Sequence, residues 1–161
     1  MDAKGVTLRP ACMDDCRLVW EWANDPEVRD ASFSTDPIPW ASHVKWFEHK
    51  LSDQNCFFFI ALDENGSPVG QVRLDRDESG QAEIHVCLGK NKRGLGYGPI
   101  MVGKAVEEIF ARTSVSSIHA FIKVQNQASI KVFEKAGFRH QGIEIVKGDQ
   151  AVHYSIQKSN E

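Results

Sequence analysis

No stretch of this 161-residue chain approaches the roughly 18 consecutive apolar residues that a membrane helix needs. Its opening, MDAKGVTLRPA, carries no apolar signal-peptide core. A cytoplasmic protein with no membrane partner is therefore expected. Nor is there a surplus of basic residues: 19 Lys and Arg stand against 22 Asp and Glu, a formal charge of −3. Without a basic stripe, nucleic acid is not expected as a partner, and any phosphate site must be local. The four cysteines, Cys12, Cys16, Cys56 and Cys87, form no C-x-x-C pair, and a chain of this length is stable without disulfides. They are expected as reduced, packed thiols with no metal or redox role. Neither a G-x-x-x-x-G-K-S/T loop nor a G-x-G-x-x-G opening a βαβ unit occurs, which excludes the Walker and dinucleotide readings. Repeats, low-complexity tracts and linkers are missing too. Residues 1–161 are expected to form one domain, disordered only at 1–4 and 158–161.

What is present is enough apolar material, 42% of residues, for one continuous core. Alternation predicts a strand over 6–9, ended by Pro10. Cys16, Val19, Trp20 and Ala23 then recur on one helical face, with Asp14 as cap and Asn24-Asp25-Pro26 as stop. An irregular arm containing Pro37 and Pro39 leads to a second helix over 40–51. Strands follow over 57–62, 69–74 and 82–88, joined by the turns Asp63-Glu-Asn65-Gly66 and Asp77-Glu-Ser-Gly80. In the last of these strands Ala82, Ile84, Val86 and Leu88 share one face; Glu83, His85 and Cys87 take the other. After a Gly-rich loop come a helix carrying Val102, Ala105, Val106, Ile109 and Phe110, a strand over 117–123, and a helix over 126–136 closed by Gly137. Two strands, 138–146 and 151–156, finish the chain. This order implies an α+β fold with helices on both faces of a mixed, mostly antiparallel seven-stranded sheet. The strand-loop-helix-strand section is the place for a parallel pair.

The segment Lys90-Asn-Lys92-Arg93-Gly94-Leu95-Gly96-Tyr97-Gly98 lies between an alternating strand and an amphipathic helix. Glycines admit a close ligand, a helix start offers N–H groups and a favourable dipole, and three cations supply charge, so the loop can hold a pyrophosphate. On its own it also reads as a solvated glycine loop. Further on, Asn126-Gln-Ala-Ser129-Ile-Lys-Val-Phe133-Glu-Lys-Ala-Gly137-Phe138 opens a helix on Asn126 and ends it with Gly-Phe. Together the two segments resemble the acetyl-CoA signature of the GNAT superfamily of N-acetyltransferases. Arg93, Gly96 and Gly98 match R/Q-x-x-G-x-G/A; Asn126, Ser129, Phe133, Gly137 and Phe138 match N-x-x-A/S-x-x-x-Y/F-x-x-x-G-F. The element order matches that fold over nearly the whole chain.

The resemblance implies an acetyl-CoA-dependent N-acetyltransferase with no metal. Its strand ending at Val86, Cys87 and Leu88 would splay from a parallel neighbour near 118–122 and pair with the pantetheine amides. Amides from Gly94, Gly96, Tyr97 and Gly98 would hold the pyrophosphate, with Lys90, Lys92 and Arg93 near the adenosine phosphates and Asn126, Ser129 and Phe133 completing the coenzyme site. Pro99 has no N–H, which leaves the donating to the residues before it. Glu83 is the first candidate for general base and His85 the second, since both point away from the apolar face near the acetyl site; each also reads as mere strand-surface polarity. An amide near Cys87 or Leu88 would polarise the carbonyl. Many relatives carry a proton-donating tyrosine at the Phe133 position. Here Ser129, Tyr97 or Tyr154 would have to serve, or a thiolate with a pKa near about 8.5 leaves unaided.

Trp20, Trp22, Trp40 and Trp46 fall within one arm beside Phe33 and Phe47. In this fold that arm shapes the acceptor pocket. Arg29, Phe33, Trp40, His43 and Trp46 are the candidate acceptor-binding residues, though burying two amphipathic helices would need the same aromatics. The spelling of the arm is similar to the UDP-4-amino-sugar N-acetyltransferases of pseudaminic acid and surface-glycan synthesis, which implies a nucleotide-linked amino sugar. A ribosomal-protein-type N-terminal or small-amine acetyltransferase is the alternative, and a coenzyme-binding sensor without turnover the second. A homodimer is left open.

Overall fold

The structure is a computed structural model that describes residues 5–159. The disorder expected at 1–4 and at the last two residues lies outside the described residues. The chain runs β1 (Thr7–Pro10), a 3-10 turn (Met13–Asp15), α1 (Cys16–Ala23), α2 (Pro26–Ala31), α3 (Trp40–Ser52), β2 (Cys56–Leu62), β3 (Pro68–Arg76), β4 (Gln81–Leu88), a second 3-10 turn (Lys90–Lys92), α4 (Tyr97–Arg112), β5 (Ser117–Lys123), α5 (Gln127–Lys135), β6 (Arg139–Val146) and β7 (Asp149–Gln157). The seven strands form one sheet in the order β1-β2-β3-β4-β5-β7-β6. Every neighbouring pair is antiparallel except β4 with β5. The expected α+β architecture is the one observed.

Strand β2 shows why the sheet needs helices on both faces. Its apolar run offers no polar alternation, so both of its sides must be covered. Phe58 and Ile60 bury against Cys16 and Val19 of α1 and Phe47 of α3, whereas Phe57, Phe59 and Ala61 join the larger core beneath α4 and α5. Phe47 and Ile60 are fully buried. Each such side chain contributes roughly 1.5–3 kcal/mol of transfer free energy.

Two local expectations are corrected. Asp14 does not cap α1. The neighbouring Asp15 instead accepts a hydrogen bond from the Cys12 N–H at 2.9 Å and a bidentate pair from Arg9 at 2.8 Å each. Burial opposes ionisation of Asp15, but the Arg9 guanidinium outweighs it and holds the carboxylate below its usual range. The arm is also less irregular than expected. Asn24-Asp25-Pro26 stops α1 and starts α2: the Asp25 carboxylate accepts from the Glu27 N–H at 2.9 Å, and Pro26 fills the first helical position. Proline costs nothing there because that N–H has no intrahelical partner anyway.

Candidate functional site

The parallel pairing of β4 with β5 covers Gln81↔Ser117, Ala82↔Ile118 and Glu83↔His119, and then ends. Residues 84–88 of β4 keep β3 on one edge while their other edge opens into a gap. The β5 ladder does not satisfy that edge; the Leu88 carbonyl there accepts from Arg93 instead, and a partner that can both donate and accept would fit the remainder. A continuous cavity of about 930 Å³ runs through the gap. One end is lined by Gly94, Gly96, Gly98, Asn126, Ser129 and Phe133, and the other by α1, the arm and the polar faces of β3 and β4.

At the first end the backbone is built for close approach. Gly94 and Gly96 adopt positive φ, +73° and +88°, and Gly96 is the residue from which α4 starts. A Cβ would strain both conformations. Gly98 matters for another reason. A Cβ there would lie 2.9 Å from Val132 Cγ2, so its bare backbone lets α4 and α5 converge on the gap. Asn126 caps α5, its Oδ1 accepting from the Ser129 N–H at 3.2 Å, and Gly137 (φ +96°) ends it as expected. Phe133 is buried edge-on to Phe138. Arg93 does more than flank the cradle. Its guanidinium donates to the Leu88 carbonyl at 3.1 and 3.3 Å and to Glu27 at 3.0 Å, tying the end of β4 to α2. Lys92 lies 3.6 Å from Asp63, while Lys90 is exposed.

At the other end the register aligns Gln71, Arg73 and Asp75 of β3 with Cys87, His85 and Glu83 of β4. Arg73 pairs with Asp75, and Lys50 of α3 reaches the same carboxylate at 2.9 Å. His85 Nε2 is 3.4 Å from Glu83 and 3.9 Å from Asp75. Burial opposes the ionisation of Asp75, yet Arg73 and Lys50 hold it below the usual carboxylate range. Burial pushes the Glu83 carboxyl up, with Arg73 opposing and Asp75 assisting. Burial and then Arg73 hold the His85 imidazole far below its ordinary range, so it is neutral at physiological pH. Burial pushes the Cys87 thiol up to about 11, which leaves it protonated.

The structure brings His85, Val86, Cys87, Leu88, Arg93, Gly94, Gly96, Tyr97, Gly98, Asn126, Ser129, Phe133, Arg29, Phe33, His43 and Trp46 to the wall of one cavity. Glu83 and Trp40 are not in that wall. Glu83 stands behind His85 at the mouth of the gap, and Trp40 meets Trp20 edge-on at 5.1 Å with Arg17 over its ring. His43 is at the back of the wall, 2% exposed, its Nε2 bonded to the Cys16 carbonyl at 2.9 Å and its ring stacked on Phe47. Arg29 donates to the carbonyls of Ala23 and Ser34 at 2.7 Å each, clasping the arm. Tyr154, one proton-donor candidate, gives its hydroxyl proton to Glu134 at 2.6 Å, and that bond, with burial, raises the phenol to about 12. Sequence reasoning missed Arg73 and Gln71, which belong to the floor, and Lys147, which closes the chamber by reaching Ser34 Oγ at 3.3 Å. The alternation of β3 was a usable signal for the first two; the lysine, in the β6–β7 turn, had none.

Residues 6–139 match the acetyltransferase (GNAT) domain family. The chain is 26% identical to the uncharacterized N-acetyltransferase p20 of Bacillus licheniformis, covering 86% of this chain and 81% of that one. It is 25% identical to an aminoglycoside N(6')-acetyltransferase type 1 of Klebsiella pneumoniae, covering 94% and 82%. Among solved structures, the spermidine N-acetyltransferase from Vibrio cholerae with CoA and spermine superposes with a TM-score of 0.85 at 17% identity over 95% of both chains. That likeness shows the shared fold. With the splayed β4–β5 pair, the glycine-lined start of α4 and a family match over most of its length, the chain belongs to the GNAT family of acetyltransferases.

Proposed function

We propose that this acetyltransferase moves the acetyl group of acetyl-CoA directly onto the primary amine of a nucleotide-linked amino sugar. The observation that carries the acceptor is electrostatic. The lining at the acceptor end carries the cations Arg29, Arg73 and Lys147; Arg73 is paired with Asp75 and the lining carboxylate Glu27 with Arg93, so the excess positive charge rests on Arg29 and Lys147. Such a wall favours an acceptor bearing anionic groups over a polycation, which would need facing carboxylates. The arm is tied above the chamber to the β6–β7 turn through Lys147 to Ser34 and to the end of β5 through Lys123 to the Asp30 carbonyl at 3.0 Å, which favours a compact ligand over an extended peptide.

The glycine cradle and the open edge of β4 fit a pantetheine-linked diphosphate. Gly94, Gly96, Tyr97 and Gly98 with Arg93 would take the phosphates, the backbone of Val86, Cys87 and Leu88 the pantetheine amides, and Asn126, Ser129 and Phe133 the inner end. When bound, acetyl-CoA supplies the activated acetyl group. His85 faces the acceptor, and Glu83 behind it takes the proton released by the amine, a carboxylate raised toward working pH being the better base of the two. The amide N–H beside Cys87 or Leu88 polarises the carbonyl. Phe133 donates nothing and Tyr154 is engaged elsewhere, so the thiolate, with a pKa near about 8.5, departs unaided.

A second reading has its own support: relatives named for aminoglycoside and spermidine acetylation share the family or the fold. Coenzyme release followed with a thiol reagent over UDP-4-amino sugars, kanamycin, spermidine and N-terminal peptides separates the two. Turnover is expected with the UDP-amino sugars; turnover with kanamycin or spermidine alone would refute the nucleotide-sugar assignment.

A further inference from the structure

The sequence sets three cations beside the glycine cradle, but the folded chain puts other charges on the wall of that end. Lys90 and Lys92 are not in the cavity lining, and Lys92 is 3.6 Å from Asp63. Arg93 is in the lining and faces Glu27 at 3.0 Å. Two lysines outside the glycine motif join it there: Lys131 and Lys135 of α5 both line the cavity, and both are exposed. They are one helical turn apart, a spacing that holds their Cβ atoms about 5–6 Å from each other. Val132, next to Lys131 on the helix, meets the first turn of α4 at Gly98, so the lysines flank the cradle. Neither ammonium has a hydrogen bond or an ion pair among the described residues, and the acid beside Lys135, Glu134, accepts from the Tyr154 hydroxyl at 2.6 Å. Like charges at this spacing without a counter-ion weaken a helix.

Resting on the acetyltransferase reading, we infer that Lys131 and Lys135 form a phosphomonoester site that takes the 3′-phosphate of the coenzyme's adenosine, while the diphosphate goes to the start of α4. Charge supports this division. A phosphomonoester carries about two negative charges at neutral pH, which two ammonium groups match. Its oxygens also suit lysines, whose point charges on flexible stems can close on a compact anion from two sides. The diphosphate is served otherwise: Gly94 and Gly96 open the backbone for close approach, and the first turn of α4 offers amides and a favourable dipole. Exposure matters as much as sign. Ammonium groups that stay in water give up little hydration on binding, so desolvation does not cancel the attraction, though salt screens it. The carboxylate in the described lining, Glu27, already faces Arg93, so it does not compete for the two lysines.

Removing one phosphate from the ligand supplies the test. Calorimetry with CoA and with 3′-dephospho-CoA, at low and at raised salt, compares wild-type protein with the double variants Lys131→Gln/Lys135→Gln and Lys90→Gln/Lys92→Gln. Wild type is expected to prefer CoA at least about tenfold at low salt, about 1.4 kcal/mol, and the preference shrinks as salt screens the lysines. The α5 variant is expected to bind both ligands within about threefold of each other, to hold dephospho-CoA as wild type does, and to keep its Tm, since a like-charged pair has been removed. The loop variant keeps the preference. Lys131→Arg/Lys135→Arg, which restores the charges, is expected to regain it. A preference that survives in the α5 variant, one that is lost in the loop variant instead, or an equal loss of both ligands overturns the inference, as does wild-type protein that binds the two alike. All of those outcomes leave the acetyltransferase reading intact. Wild-type protein that takes up neither ligand overturns both.

Discussion

Glu83 and His85 are set apart by their environments. The imidazole is kept neutral, and the carboxyl is made easier to protonate than an exposed glutamate. A base works only when deprotonated, so with Glu83 as the proposed base its raised pKa moves the acidic limb of the rate profile upward: kcat/KM is expected to fall as pH drops through a value above the ordinary 4.5. The sign for stability is opposite. Folding favours the protonated form of Glu83, so its charge detracts from stability above the folded pKa and that loss is recovered as pH falls. Glu83→Gln is therefore expected to lower kcat/KM about 10²-fold at neutral pH without lowering Tm, and wild-type rates in that variant would discard the assignment. Strand parity made this pair legible in the sequence, because alternate residues of 82–88 must face opposite ways. Parity could not show that Arg73 and Asp75 lie across from them, since register is a tertiary fact. The same limit explains His43: helical spacing groups it with Trp40, but only packing reveals that its ring turns inward and its nitrogen is consumed by the Cys16 carbonyl.

The first turn of α4 and its contact with α5 form the end of the cavity proposed for the coenzyme. Gly98→Ala would gain up to about 1 kcal/mol of helix propensity, but overpacking against Val132 costs about 1–3 kcal/mol. Val132 is branched at Cβ and cannot swing aside, so the clash wins. Tm is expected to fall by about 2–4 °C, and CoA affinity measured by calorimetry to fall with it as α4 and α5 part. The two motif segments were legible because a helix start, a cap and a left-handed glycine are local features with local spellings. The helix α2 was not, because Asp25-Pro26 is spelled the same whether it stops one helix or begins the next. Three nearby contacts favour the second outcome: Arg29 to Ala23, Arg93 to Glu27 and Lys123 to Asp30.

At the scale of the molecule, both halves of the site open into one cavity, and no nucleophile is needed between them. Cys87, the thiol in its wall, is held protonated with its pKa raised to about 11. Transfer is therefore expected to pass directly between two bound substrates, giving intersecting rather than parallel lines in double-reciprocal plots at varied acetyl-CoA; parallel lines with a covalently acetylated chain would contradict it. Composition, period and spacing were enough to determine the strands, every long helix, their order and the two glycine and asparagine motifs, though not α2, because hydrophobic alternation and capping act within a few residues of chain. Where β4 leaves β5, which polar groups of β3 meet those of β4, and how the arm and the β6–β7 turn roof the chamber depend on residues far apart in sequence. Those features were decided by packing alone, because burial and pairing are properties of surfaces that exist only once the chain has closed on itself.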